Sequence, residues 1–137
     1  MALDIVFVKD NSSPYWANAG VMDGEIDPVE WETLFFKDFE IKTRFDHLEE
    51  SGDGESYDEY YSNRITQLEK RFPLLSRMKD YYEDAFFSAN ELVALSSEIQ
   101  AARSLAKSDR AFGLLNKLQG AVDIASRNGL GISLIAD

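Results

Sequence analysis

Leu3-Asp4-Ile5-Val6-Phe7-Val8 is the stretch on which the fold class turns. It is short, nearly continuous in apolar residues and rich in β-branched ones, and Lys9-Asp10-Asn11 with Ser12-Ser13-Pro14 closes it off. Such a run predicts a strand buried on both faces. Leu130 to Ala136, at the far end of the chain, has the same character. Two short apolar strands at opposite ends are expected in one small sheet, against which everything between them packs. Were they parallel neighbours, the crossover joining them would be right-handed.

Most of what lies between reads as helix. Asp27-Pro28-Val29-Glu30 offers an Asp N-cap, a Pro at the first helical position where no N–H is missed, and a Glu three residues after the cap. The helix is expected to run to about Asp38 with Trp31, Leu34 and Phe35 inward, at i, i+3 and i+4. Ser56-x-x-Glu59 opens a second helix whose stripe is Tyr57, Tyr61, Ile65, Leu68 and Phe72, and Pro73 must end or kink it. Leu74 to about Asp84 is expected to add a helix presenting Leu75, Met78 and Tyr82. Ser88-x-x-Glu91 starts another, with Leu92, Leu95, Ile99, Ala102 and Ala106 inward. Ser108-Asp109 starts the last, with Phe112, Leu115, Leu118, Val122 and Ala125 inward, and Asn128-Gly129 stops it in a left-handed cap.

Three stretches break this pattern. Tyr15-Trp16-Ala17-Asn18-Ala19-Gly20 has no period and reads as an ordered loop. Phe39 to Phe45 alternates apolar with charged residues, which predicts a second strand with a solvated face. His47 to Glu55, with Gly52 and Gly54, reads as a turn or mobile loop. The expected architecture is α+β and predominantly helical, with four to five helices packed on a small sheet formed by the N-terminal and C-terminal strands. At 137 residues the length prior puts all of it, 1–137, in a single domain.

Charge is distributed unevenly along this chain. From Asp23 to Glu59 there are fourteen carboxylates against Lys37, Lys42 and Arg44, a local balance of −11 that equals the net charge of the whole protein. The other hundred residues hold eleven acids and eleven bases. Like charges crowded together oppose folding by self-repulsion, so keeping them in one place suggests a use there. Such a stretch repels nucleic-acid phosphate and anionic lipid and attracts basic partners across about a Debye length. Within it, Tyr57-Asp58-Glu59-Tyr60-Tyr61 sets aromatic rings among carboxylates, and Tyr81-Tyr82-Glu83-Asp84 repeats that composition further on. On a helix, Tyr57 and Tyr61 are expected to face the core while Asp58, Glu59 and Tyr60 face outward. One reading is a core edge whose hydroxyls reach water. The other is a recognition face, because tyrosines anchor interfaces while carboxylates steer a cationic partner. On the second reading the partner-binding residues are Asp46, Glu49, Glu50, Asp53, Glu55, Tyr57, Asp58, Glu59 and Tyr60.

No catalytic motif accompanies this surface. Gly129-x-Gly131 has no third glycine and no helix after it, so it is a helix stop leading into a strand and not a phosphate loop. His47 is the only histidine and there is no cysteine, which excludes disulfides and a conventional zinc site. Counted from Asp53 as an EF-hand loop, position five is Tyr57 and position six is Asp58, where an acid and a glycine are required. A non-enzyme with no cofactor and no metal is expected. The N-terminus has no secretory pattern and no apolar run approaches a membrane span, which predicts a soluble cytoplasmic protein.

A small, cysteine-free, acidic, mostly helical chain that gathers Asp, Glu and Tyr in one span and ends in Asn128-Gly129-Leu130-Gly131-Ile132-Ser133-Leu134-Ile135-Ala136-Asp137 resembles immunity proteins of bacterial toxin–immunity systems, including the contact-dependent and polymorphic toxin systems. The resemblance implies residence in the cytoplasm of the producing cell and blockade of a cognate toxin, often a basic nuclease. Two other classes fit the same charge. One is a DNA mimic, whose helical carboxylates stand about 5–6 Å apart, near the spacing of phosphates, and which would occupy a DNA-binding protein. The other is a structural or assembly protein with an acidic solvated face.

Overall fold

The computed structural model describes residues 3–9, 18–41 and 56–136. Its sheet contains β1 (Leu3–Val8), β2 (Asn18–Ile26), β3 (Ala85–Phe87) and β4 (Gly131–Ala136) in the order β2-β1-β4-β3, with every neighbouring pair antiparallel. The two terminal strands are thus the central pair, in register from Leu3 opposite Ala136 to Val8 opposite Gly131. Being antiparallel, they need no crossover of fixed hand. The helical elements are α1 (Pro28–Glu32), which widens into a π-helical turn over Thr33–Asp38, then α2 (Tyr57–Arg71), α3 (Leu92–Arg103) and α4 (Asp109–Asn128), with short 3-10 turns at Leu75–Met78 and Ala89–Glu91. The architecture is α+β and predominantly helical, as the sequence predicts.

The core lies on one face of the sheet. Leu3, Ile5 and Phe7 of β1, Ile132 and Leu134 of β4 and Phe87 of β3 meet the buried stripe of α4, which runs through Ala111, Leu114, Leu115, Leu118, Ala121, Val122 and Ala125. Asp4 and Val6, pointing the other way, are only half-buried. The expectation of burial on both faces holds only in part: β1 alternates from Leu3 to Phe7, with the second face half-buried at Asp4 and Val6 and closed only at Val8, which is 4% exposed. Burying a Leu or Phe of this set contributes roughly 1.5–3 kcal/mol of transfer free energy.

Local chemistry sets the helix ends where the sequence places them. Asp27 caps α1 through the Glu30 amide (2.8 Å), and the Glu30 carboxylate returns to the Asp27 amide. Ser88 and Glu91 form the same reciprocal pair before α3. Ser108 accepts from the Ala111 amide, and Gly129 ends α4 at φ 65°, a left-handed conformation that glycine adopts without the steric penalty of a Cβ. Ser56 accepts from the Glu59 amide, but only that half of the expected box is present.

Three other expectations fail. Asn18 to Gly20 belong to β2, paired along β1, where a loop is predicted; an aperiodic, glycine-containing edge strand carries no alternation to read. Phe39 to Ile41 form no strand, because Glu40 turns at φ 57° and ends the π turn, while 42–45 lie outside the described residues. Leu74 to Asp84 is not a helix beyond the single turn Leu75–Met78. Its leading amides are satisfied from α3, where the Glu98 carboxylate accepts from Leu74 N (3.0 Å) and Leu75 N (2.9 Å). The chain then turns through Asp80, whose carboxylate accepts from the Tyr82 amide, and enters β3.

Candidate functional site

The π turn in α1 shapes a surface where aromatic residues gather around an open space. Five residues along an α-helix separate two side chains by roughly 140°, so Trp31 and Phe36 would diverge. The widened turn instead brings Phe36 against Trp31 edge-on, with ring centroids 5.2 Å apart, while the Phe39 amide reaches the Leu34 carbonyl (2.7 Å). Trp31 is fixed further by its indole N–H, which donates to the Met78 carbonyl (2.7 Å), and by the stacked Phe35 ring. Both contacts are buried, so the indole holds α1 to the turn that follows Leu75–Met78.

That turn places Tyr81 and Tyr82 in opposite environments. Tyr81 is 5% exposed, packs against Trp31 at 5.7 Å, and donates its hydroxyl proton to the Ile26 carbonyl (2.9 Å). Loss of solvation, reinforced by the charges of Asp27 and Glu25, pushes its phenol up to about 12. Tyr82 is 68% exposed and meets Tyr81 edge-on. The sequence expects Tyr82 inward on a helix; because the segment is a turn, the phase shifts by one residue and Tyr81 goes in.

Across from them, the first turn of α2 supplies Tyr57 and Tyr61, stacked at 5.8 Å and both half-buried. Burial is also the main cause of the upward shift of the Tyr61 phenol, with Asp80 adding to it. Together these elements bound a groove of about 560 Å³. Pro28, Trp31, Glu32 and Phe36 line it from α1, Tyr57, Asp58 and Tyr61 from α2, and the run Lys79 to Tyr82 from the turn. Its volume lies in the range typical of ligand sites. Three carboxylates border it, Glu32, Asp58 and Asp80, and among the described residues lining it Lys79 is the only basic one. The Lys79 ammonium is paired with Glu69 at 3.0 Å.

The groove thus joins the two tyrosine-and-carboxylate clusters that the sequence singles out separately. Of the expected partner-binding residues, Tyr57 and Asp58 line it. Glu59 is exposed at the start of α2 but is not on its wall. Tyr60 turns aside, its ring 6.0 Å from Tyr57 and its hydroxyl donating to the Glu40 carbonyl. Asp46, Glu49, Glu50, Asp53 and Glu55 lie outside the described residues, as does His47. Sequence reasoning misses Trp31, Glu32, Phe36 and Asp80 as site residues. The repeated Tyr-Tyr-acid composition was the signal for the turn; no periodicity announces the π turn.

Part of the acidic stretch is committed to holding the fold. Glu30 is 8% exposed and pairs with Lys117 of α4 at 2.6 Å, while the same ammonium donates to the Glu25 carbonyl (2.7 Å). Asp38 is 6% exposed and accepts from the Lys107 amide (3.1 Å), which fastens the α3–α4 connection to the end of the π turn. Asp27 serves as a cap, and the amides it accepts from hold its carboxyl below the usual range. Among the described residues no group of three or more His, Asp or Glu side chains is arranged to hold a metal ion, and no helix is long and apolar enough to cross a membrane. No family model, curated protein or solved structure matches the chain.

Proposed function

We propose that this protein is a non-catalytic binding protein of the immunity or antitoxin kind, which resides in the cytoplasm and neutralises a basic partner protein such as a toxin nuclease. The observation that carries this reading is the groove in which Tyr57, Asp58 and Tyr61 meet Asp80, Tyr81 and Tyr82. Aromatic residues held at a surface by a rigid scaffold supply contact area at low entropic cost, and bordering carboxylates attract cations and repel anions. The neighbouring charge adds long-range steering, which raises association rates by roughly 10–10³ and fades with salt.

The DNA-mimic reading draws less support. A mimic needs a row of outward carboxylates, whereas Asp27, Glu30 and Asp38 spend theirs on a cap, an ion pair and a backbone amide. The experiment is to isolate the protein from its own host at low salt, identify what elutes as ionic strength rises, and co-express it with the product of the adjacent gene. Recovery of one cationic protein whose toxicity this chain suppresses is the expected result. Recovery of no cationic partner at any salt, with no protection, would overturn the reading, and competition with DNA for unrelated DNA-binding proteins would favour mimicry instead.

A further inference from the structure

The chemistry of the groove specifies more than a basic partner. Its carboxylates come from three separate elements, Glu32 from α1, Asp58 from α2 and Asp80 from the turn, and converge on one open space with aromatic walls. Among the described lining residues the one ammonium is that of Lys79, whose charge reaches Tyr61 and which is paired with Glu69, so the three wall carboxylates outnumber it. Ring faces carry negative potential and attract cations, more strongly where water is partly excluded. A space so lined is complementary to a cation that is also flat.

From this geometry we infer that the groove receives an arginine side chain carried on an extended segment of the basic partner, an inference that rests on the protein-binding reading above. A guanidinium is planar, weakly hydrated and able to stack on a ring while its edge donates two parallel hydrogen bonds to a carboxylate. A lysine ammonium is compact and strongly hydrated, and it gains less from stacked rings. The walls offer both halves of the guanidinium's requirement. Tyr57 and Tyr61 present a stacked pair, Tyr82 stands exposed at the rim, and carboxylates lie on either side. At about 560 Å³ the space also has room for the backbone that carries the side chain.

The test is an NMR titration of the full chain, observing backbone amides and tyrosine rings. The probes are three blocked tripeptides, Gly-Arg-Gly, Gly-Lys-Gly and Gly-citrulline-Gly, the last keeping the shape of arginine without its charge. The arginine peptide is expected to move the resonances of Tyr57, Tyr61, Tyr81 and Tyr82, to bind about tenfold more tightly than the citrulline peptide, and to bind a few-fold more tightly than the lysine peptide. In the double variant Glu32→Gln/Asp80→Asn, both residues are exposed and the asparagine still offers an acceptor to the Tyr82 amide. It is expected to lose about tenfold in arginine affinity with its melting temperature unchanged. Tyr82→Ala, at a site 68% exposed, provides a second variant that leaves the core alone.

Equal affinity for arginine and citrulline, arginine-induced shifts spread over the acidic surface away from the groove, or no loss in the double variant would each overturn the inference. A basic protein partner whose affinity survives Glu32→Gln/Asp80→Asn would overturn it too, while leaving the protein-binding reading intact. Charge-dependent arginine binding in the groove, with no protein partner found at any salt, would remove that reading and keep the guanidinium site.

Discussion

Two arrays of aromatic rings meet at Trp31. On one side Phe35, Phe39 and Phe72 form a chain of contacts, edge-on at 5.2 Å and then stacked at 5.2 Å, and all three are buried. On the other, Tyr57, Tyr61, Tyr81 and Tyr82 surround the groove, and only Tyr81 is buried. What divides the arrays is the hydroxyl. Rings without a polar atom close the interior, whereas rings with one stand at the boundary where water or a backbone carbonyl can satisfy it. Tyr81 shows the rule from the inside, because its hydroxyl is buried only in company with the Ile26 carbonyl. The same residue class therefore stabilises the fold on one side of Trp31 and leaves contact area uncovered on the other.

The contrast breaks most visibly in the phenylalanine array. Phe35→Ala removes a ring 1% exposed that is stacked on Trp31 and set against Phe39. A loss of about 3–5 kcal/mol in unfolding free energy is expected, read from the urea midpoint at constant slope. A loss below about 1 kcal/mol would mean that the array is not the structural half of the pair.

A parallel contrast separates carboxylates two residues apart, Glu30 inside and Glu32 on the groove wall. Lys117→Met strands the buried Glu30 charge and is expected to cost about 2–4 kcal/mol, with part of it recovered in the double variant Glu30→Gln/Lys117→Met. Glu32→Gln is expected to change stability by less than about 0.5 kcal/mol, since it is exposed. Gly113 of α4 belongs to the same arrangement. A Cβ there would lie 3.0 Å from Glu30 Oε2, so Gly113→Ala has to displace the carboxylate that Lys117 holds.

These differences indicate what a sequence can and cannot disclose. The caps at Asp27, Ser88 and Ser108, the stop at Gly129 and the membership of both terminal strands in one sheet are local or end-to-end patterns, and all were readable; that the two strands pair antiparallel at its centre was not, because strand order depends on contacts between distant segments. The Leu92, Leu95, Ile99, Ala102 stripe is a plain helical period, and all four residues are buried. The helix predicted over Leu74 to Asp84 fails for a reason that lies elsewhere in the chain. Glu98 of α3 and the indole of Trp31 bind the backbone of that segment and hold it as a turn, and neither is visible within a local window. The groove depended on that turn and on the π turn at once. Its two tyrosine clusters were legible, but their meeting was not.

The segment that leads into the groove wall has its own pH signature. Arg77, from the 3-10 turn that precedes the groove wall, donates to the Phe86 carbonyl of β3 (2.9 Å) and with both nitrogens of its fork to the Glu91 carboxylate. That hydrogen bonding holds the Glu91 carboxyl down to about 2 from its ordinary 4.5. A depressed folded-state value means that the contribution is complete above about 4.5 and is lost as pH falls toward 2. Since Arg77 is 39% exposed, the effect is discounted to about 1–2 kcal/mol. Glu91→Gln is expected to lower stability by that amount at neutral pH and to flatten the stability profile between those two values. An unchanged profile in acid denaturation would show that the clamp does not hold the turn.

At the exit of the π turn, Glu40 stands at φ 57° with its carbonyl accepting from Arg64 (3.2 Å) and from the Tyr60 hydroxyl. Glu40→Gly relieves the left-handed strain and keeps the backbone carbonyl that accepts from both donors. A gain of about 0.5–1 kcal/mol is expected, smaller than the losses at Phe35, Lys117 and Glu91 and opposite in sign.

The smallest effect on stability belongs to the ring that matters most to the proposal. Tyr82 is 68% exposed, and its fixed backbone contact is an amide donated to Asp80, which alanine retains. Tyr82→Ala is therefore expected to shift the unfolding free energy by no more than about 0.5 kcal/mol. If the groove is where the partner docks, the same substitution should weaken that complex by about 2 kcal/mol or more, seen mainly as faster dissociation, because truncating an aromatic anchor removes buried contact without altering the charge that steers encounter. Set against Phe35→Ala, this pair of measurements separates the two arrays by kind of loss. A Tyr82→Ala variant that unfolds early and binds normally would mean that the tyrosines are merely the outer edge of the core.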